Sequence, residues 1–220
     1  MKYKAIIYTI KWLEDRGVKT AVFMSRVIDA LVRDLYNGVI ESDEFQNEMF
    51  DLIENQFRRA FNEGMRNNEL DPAKDMTDEW EQEYQRMVTD QLQYIEKFAS
   101  DILEGAKNET GKDQFMSRAD LWANQYESVV NEAQMITADN KAKFEWVYGD
   151  TDHCETCAAL NGIVAWAEEW EASGFHPQQP QNDLLECGGW KCGCSLNPTD
   201  KKRTANALDT LLSIATSGNV

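Results

Sequence analysis

The sequence predicts a mainly α protein: long antiparallel helices followed by a small zinc-stabilised α+β module at the C-terminal end. Two observations predict the helices. Apolar residues recur three and four apart over the first 140 positions, and polar Gly- or Pro-containing loops separate those stretches. A third predicts the module. All five cysteines lie between Cys154 and Cys194, among glycines, prolines and tryptophans.

The first helix is expected over residues 19–36, with Phe23, Val27, Leu31 and Leu35 four apart and Asn37-Gly38 as a left-handed stop. Ser42 opens the second. Asp43 and Glu44 follow in the first turn, where the helix dipole favours anions. Its buried face is Phe45, Met49, Leu52, Ile53, Phe57, Ala60 and Phe61, and Gly64 is expected to end it. Thr77 caps a third long helix, striped by Trp80, Tyr84, Val88, Ile95, Phe98 and Ile102 and closed by Gly105. In the fourth, Phe115, Ala119, Trp122, Tyr126, Val129, Ala133 and Ile136 alternate in steps of 4 and 3. That seam suits packing between long antiparallel helices.

After Lys143 the pattern changes. Residues 144–148 alternate as a strand does, Gly149-Asp150 turns, and residues 162–165 offer a partner strand. A short helix is expected over 201–215. The domain reading is a helical domain at 1–143, a knuckle module at 144–198, and a C-terminal helix and tail at 199–220.

Charge narrows the function classes. The 220 residues carry a formal charge of −17, and mean hydropathy is −0.59. Residues 1–40 hold 7 basic against 4 acidic side chains, 41–150 hold 11 against 26, and 151–220 hold 4 against 9. An acidic middle repels nucleic-acid phosphates and anionic lipid. No apolar run approaches about 20 residues, so no membrane span is expected. The apolar stretch Ala5 to Ile10 is short, is followed by Lys11 and lacks a small-residue cleavage site, so it is not expected to be a signal peptide. A reducing cytoplasm is the expected place of synthesis.

The cysteines carry the chemistry. Cys154-Glu-Thr-Cys157 is a C-x-x-C knuckle that presents two thiolates from one tight turn. Cys187-Gly-Gly-Trp-Lys-Cys192-Gly-Cys194 supplies three more. Zinc takes four ligands in a tetrahedron, so four of these five would fill it. Cys154 and Cys157 are the firmest. Two more come from Cys187, Cys192 and Cys194, and spacing does not choose among them. His153 or His176 could stand in for one cysteine. Each has a plainer place, His153 outside the ligand shell and His176 on a surface turn. Residues 151–198 contain few aliphatics, so the metal rather than an apolar centre is expected to hold their shape. Trp146, Trp166, Trp170 and Trp190 are expected to wrap it.

A redox C-x-x-C would call for a βαβ setting, which the upstream helices do not supply. His153-Cys154-Glu155 spells the H-x-E of zinc deaminases, but the P-C-x-x-C that should follow is missing: Glu186 precedes Cys187, and the next cysteine is five positions on. No phosphate loop, nucleophile elbow or H-E-x-x-H occurs. The expected site is structural, with no catalytic residues and no small-molecule substrate.

Trp146-x-x-Gly149, His153-Cys154-x-x-Cys157, Leu160-x-Gly162 and Cys192-Gly193-Cys194-x-Leu196 together resemble the C-terminal motif of phage head morphogenesis proteins, also called minor head or minor capsid proteins. Leu35-Tyr36-Asn37-Gly38 with the helix after Ser42 resembles their N-terminal region, and Gln93-Tyr94-Ile95-x-x-Phe98-Ala99-x-Asp101-Ile102 is similar to their helical part. The resemblance is specific in the cysteine motif and loose in the helices. Gly193 stands where the family usually has Arg, and Cys187 where many members have His. The resemblance implies a few-copy virion protein at the portal vertex or capsid interior, acting in head assembly. Its partners would be the portal and/or major capsid protein, with only weak contact to DNA, since the acidity opposes more and Lys201-Lys202-Arg203 is a short basic tract. Two other readings stand beside it: a zinc-ribbon adaptor for nucleic acid or a host regulator, and a zinc hydrolase or deaminase.

Overall fold

A computed structural model describes residues 21–123, 125–179, 182–189 and 192–217. Trp190 and the stretch from Ala5 to Ile10 therefore lie outside the described residues. Among the described residues the chain is mainly helical with one small antiparallel sheet. In order it forms α1 (Ala21–Tyr36), α2 (Ser42–Asn67), the short α3 (Pro72–Asp75), α4 (Asp78–Asp90), α5 (Leu92–Lys107), α6 (Asp113–Ala123) and α7 (Gln125–Ile136). Then come β1 (Lys143–Val147), α8 (Glu155–Leu160), β2 (Val164–Trp166), α9 (Ala167–Ser173), β3 (Ser195–Pro198) and α10 (Ala207–Ser217). Among the described residues no helix is long and apolar enough to cross a membrane.

Contacts divide the chain into two compact units. One takes residues up to 59 together with 77–126; the other takes 60–76 and 127–220. The boundaries fall inside α2 and α7, so the second unit includes the last turns of α2 and most of α7 as well as the cysteine-bearing segment.

The first unit is built as the apolar spacing dictates. Leu31, Leu35, Phe45, Phe98 and Ile102 are fully buried. Phe98 meets Phe45 edge-on, with ring centroids 6.0 Å apart, and packs on Trp122 at 5.1 Å. Thr77 caps α4 by accepting the Trp80 N–H at 3.2 Å. The Arg58 guanidinium forks onto both Glu81 oxygens at 2.7 and 2.6 Å and lies 3.4 Å over the Tyr84 ring. Burial there pushes the Tyr84 hydroxyl up to about 12.

The structure corrects several expected boundaries. The third long helix is two, broken at Gln91 between α4 and α5. The expected fourth helix is described on both sides of Asn124, as α6 and α7, and Asn124 itself lies outside the described residues. Gly64 does not end α2, which runs on to Asn67. A Cβ at Gly64 would sit 2.6 Å from the Val130 carbonyl and 2.7 Å from Ala133 Cβ, so this glycine permits a close helix approach. Gly105 likewise lies inside α5, where a Cβ would meet the Phe115 ring at 2.4 Å. The predicted strand and its partner pair antiparallel as β1 and β2, with Phe144 opposite Ala165. A third strand that the sequence did not suggest, β3, covers the other edge of β1, with Trp146 opposite Leu196.

The second unit has an apolar core of its own. Phe144, Trp146, Leu160, Trp170, Phe175, Leu185, Leu196 and Leu211 are all at most 2% exposed and pack together with Cys157 and Cys194. This corrects the expectation that the segment lacks an oily centre. These apolar residues are spread over β1, α8, α9, the loop that follows it, β3 and α10, and most of these stretches supply only one or two of them. Trp166 is half-buried, with the Lys141 and Arg203 cations 4.2 and 4.3 Å from its ring centre.

Candidate metal centre

Three segments of the second unit deliver the thiols. The first follows β1. Gly149 turns the chain, and Cys154, in extended conformation, caps the N-terminus of α8. Its sulfur accepts the Cys157 N–H at 3.4 Å. The C-x-x-C spacing thus puts one sulfur on the cap and the other at the third helical residue, on the same end of the helix.

The second segment carries Cys187. The Glu186 carboxylate accepts the Glu155 N–H at 2.9 Å, and the Thr156 hydroxyl accepts the Glu186 N–H at 3.3 Å. These two bonds lock the Cys187 loop against the start of α8, beside Cys154. The side chain of Asn182 ties the loop internally, donating to the Gly174 carbonyl at 3.0 Å and accepting from the Leu184 N–H at 3.1 Å.

The third segment carries Cys192 and Cys194 and runs directly into β3. Pairing of Val147 with Ser195 fixes where Cys194 stands at the end of the sheet. Gln178 Nε2 donates to the Cys194 carbonyl at 2.8 Å. A Cβ at Gly149 would lie 1.8 Å from the Gly193 carbonyl oxygen, so the two loops close on one another only because Gly149 has no side chain. Gly193 in turn donates its N–H to Thr151 Oγ1 at 3.1 Å.

The outcome is a cluster of five free thiols. Cys154, Cys157 and Cys187 form one group with sulfurs within 4.8 Å of one another; Cys157, Cys192 and Cys194 form a second. Cys157 belongs to both. The Cys157 and Cys192 sulfurs are 3.8 Å apart. With metal–sulfur bonds of about 2.3 Å, a tetrahedral zinc site has sulfur–sulfur edges of about 3.8 Å, so this spacing suits such an ion. These cysteines can hold a metal, and all five sequence candidates come together.

Electrostatics fit the same use. Neighbouring Cys157 and Cys192, ahead of the Trp146 indole and the Gly149 amide, hold the Cys194 thiol down at about 3, well below an ordinary thiol. Cys157 is pushed up, by Cys192 first and Cys194 next. Burial raises Cys154, but the backbone N–H groups of Cys157 and Cys187 outweigh it and lower that thiol. Burial raises Cys187. N–H groups aimed at sulfur favour thiolate, the form that binds metal.

The histidines take other places. His153 is exposed and stacks on Tyr148 with ring centroids 3.7 Å apart, its Nδ1 3.8 Å from the Cys194 sulfur. His176 is not the surface residue that its turn suggests. Its side chain is 12% exposed and its Nδ1 lies 3.0 Å from the Glu132 carboxylate of α7. Glu155, the H-x-E carboxylate, is exposed. The sheet is antiparallel throughout, in the order β2-β1-β3, so the C-x-x-C does not sit in a parallel βαβ unit. Trp146, one of the four tryptophans expected to wrap the metal, is fully buried in the same core as Cys194.

Comparison with protein-family models, with curated proteins and with solved structures returns no match to this chain.

Proposed function

We propose that the cysteine cluster holds one structural zinc ion in a four-thiolate shell, and that the protein is an architectural component rather than an enzyme. The observation that carries this is the pair of three-thiol groups sharing Cys157, drawn from three separate segments, with the Cys157 and Cys192 sulfurs 3.8 Å apart, about the edge length of a tetrahedral thiolate site. An ion there would pin the Cys154 helix, the Cys187 loop and the start of β3 to one point. Saturated by sulfur, it would have no open position for substrate or water, so catalysis is not part of the proposal.

More particularly, the protein is proposed to be a minor head protein of a tailed bacteriophage. It would be made in the host cytoplasm and carried in the virion, in the capsid interior or at the portal vertex. The resemblance of the Trp146–Leu196 motif supports this, with the acidic helical part packing as long antiparallel helices and offering a protein-binding rather than a DNA-binding surface. The portal and/or major capsid protein is the proposed partner. The adaptor reading is weakened by the basic tract itself: Lys201 pairs with Glu145 at 2.7 Å, and Arg203 pairs with Glu169, so two of its three charges are spent inside the unit.

Two experiments test the proposal at its two levels. Elemental analysis and X-ray absorption of purified protein should give one zinc per chain with four sulfur neighbours. Absence of stoichiometric metal, or oxygen in the first shell, defeats the structural-zinc reading. Co-expression with candidate portal and capsid proteins of the source phage, followed by size-exclusion chromatography, should give a complex. Recovery of the chain only as free protein, together with its absence from purified virions, defeats the head-protein reading.

A further inference from the structure

Two tryptophans stand side by side in the second unit, Trp146 and Trp170, with ring centroids 5.8 Å apart and both fully buried. Their indole N–H groups fare differently. Trp170 Nε1 donates to the Phe144 carbonyl at 3.1 Å. Among the described residues, Trp146 Nε1 is buried with no hydrogen-bond partner. Buried donors almost always find a partner, so a buried orphan N–H needs a reason.

Strand register supplies it. Trp146 of β1 lies opposite Leu196 of β3, and Cys194 is two residues before Leu196. Residues two apart share a face, so Cys194 is the diagonal neighbour of Trp146, a separation of about 7–8 Å between backbones that an aromatic side chain spans. Register thus places the Trp146 indole and Cys194 on one face at this end of the sheet, within one buried core. Cys194 is itself fully buried. A buried sulfur on the same face as a buried donor without a partner is the arrangement expected of a metal ligand and its outer-shell donor.

We propose that the Trp146 indole N–H is the hydrogen-bond donor to the Cys194 thiolate in the metal-loaded centre, which makes Cys194 one of the four ligands and Trp146 its positioning residue. The assignment rests on the structural-metal reading and deepens it. The fifth, uncoordinated thiol then lies among the other four cysteines.

Cobalt(II) substitution tests this in the full-length chain. An N–H donor draws electron density from sulfur, so its loss moves the thiolate-to-cobalt charge-transfer band to longer wavelength. W146F should show that shift and bind the metal 10–100-fold more weakly. W170F also loses a buried indole N–H from the same core, but it should leave the band in place, which separates positioning from general loosening. C194S should lose about a quarter of the charge-transfer intensity, and adding W146F to C194S should produce no further shift. A W146F band unchanged from wild type, an equal shift in W170F, or full four-thiolate intensity in C194S overturns the proposal. Should W146F not fold, the C194S intensity decides alone. Failure of the wild-type protein to bind cobalt or zinc at all would instead defeat the reading beneath it.

Discussion

The two units of this molecule are held together differently. In the helical unit, Phe45, Phe98 and Trp122 come from separate helices and meet as a packed aromatic centre, while the titratable groups pair at its edge, as Arg58 does with Glu81. In the cysteine-bearing unit, an apolar core of similar character meets a cluster of five thiols at Cys157 and Cys194. That second unit also has shorter elements, with strands of 5, 3 and 4 residues and helices of 6 and 7 residues between them. Short elements joined by long loops leave more chain to be ordered per buried side chain. The difference teaches that a metal staple is useful where the polypeptide crosses itself through loops, and unnecessary where amphipathic helices supply continuous faces.

Chelation should break the comparison most sharply. Structural zinc in small modules contributes roughly 10–16 kcal/mol of apparent binding free energy. A strong chelator should therefore abolish near-UV dichroism from Trp146 and Trp170 and expose backbone amides of β1 and β3 to exchange. Protection in α1 and α5 should survive. Hydrogen exchange read residue by residue checks this, and unaltered protection of β1 after metal removal would contradict it.

Phe98→Ala asks the converse question. Its ring is fully buried against Phe45 and Trp122. The expected cost is about 3–5 kcal/mol, seen as a lowered denaturant midpoint for the helical signal. Metal affinity measured by competition should not change; a parallel loss of metal would mean that the two units do not respond independently.

Gly64→Ala probes a smaller effect of unusual sign. In an ordinary helix interior the change stabilises by about 1 kcal/mol. At this position the new Cβ would lie 2.6 Å from the Val130 carbonyl oxygen, so a loss of about 1–3 kcal/mol is expected instead. Equilibrium urea unfolding gives the sign directly.

The smallest effect concerns acid. Arg203 holds the Glu169 carboxyl below its ordinary value of 4.5. A lowered folded-state value means that this group stabilises the fold fully above the unfolded value and loses that contribution as pH falls through the folded one. Glu169→Gln should thus be less stable than wild type at pH 7, with the gap narrowing below pH about 4. Thermal melts of the pair across that range check it; a gap that is constant with pH would show that the charge is not the cause.

Much of this was legible from residues alone because it is local. Four-residue spacing of Val27, Leu31 and Leu35 makes a helix whatever else surrounds it, and Thr77 caps α4 through a bond within one turn. The C-x-x-C pattern likewise places Cys154 and Cys157 on one helix end. The break at Gln91 was not legible, since the apolar stripe continues across it. Nor was the role of Gly64, whose meaning depends on a carbonyl 66 positions away.

Sequence by itself determined the helices, the β1–β2 pair and the identity of the thiols, because each follows from side-chain periodicity or from neighbours a few residues apart. Tertiary structure decided that all five thiols meet, that Cys157 joins both groups, that β3 closes the sheet and that Trp146 shares a core with Cys194. Those outcomes depend on strand register and loop closure between segments some 30 to 50 residues apart, and no local pattern encodes a register whose partner strand is only four residues long.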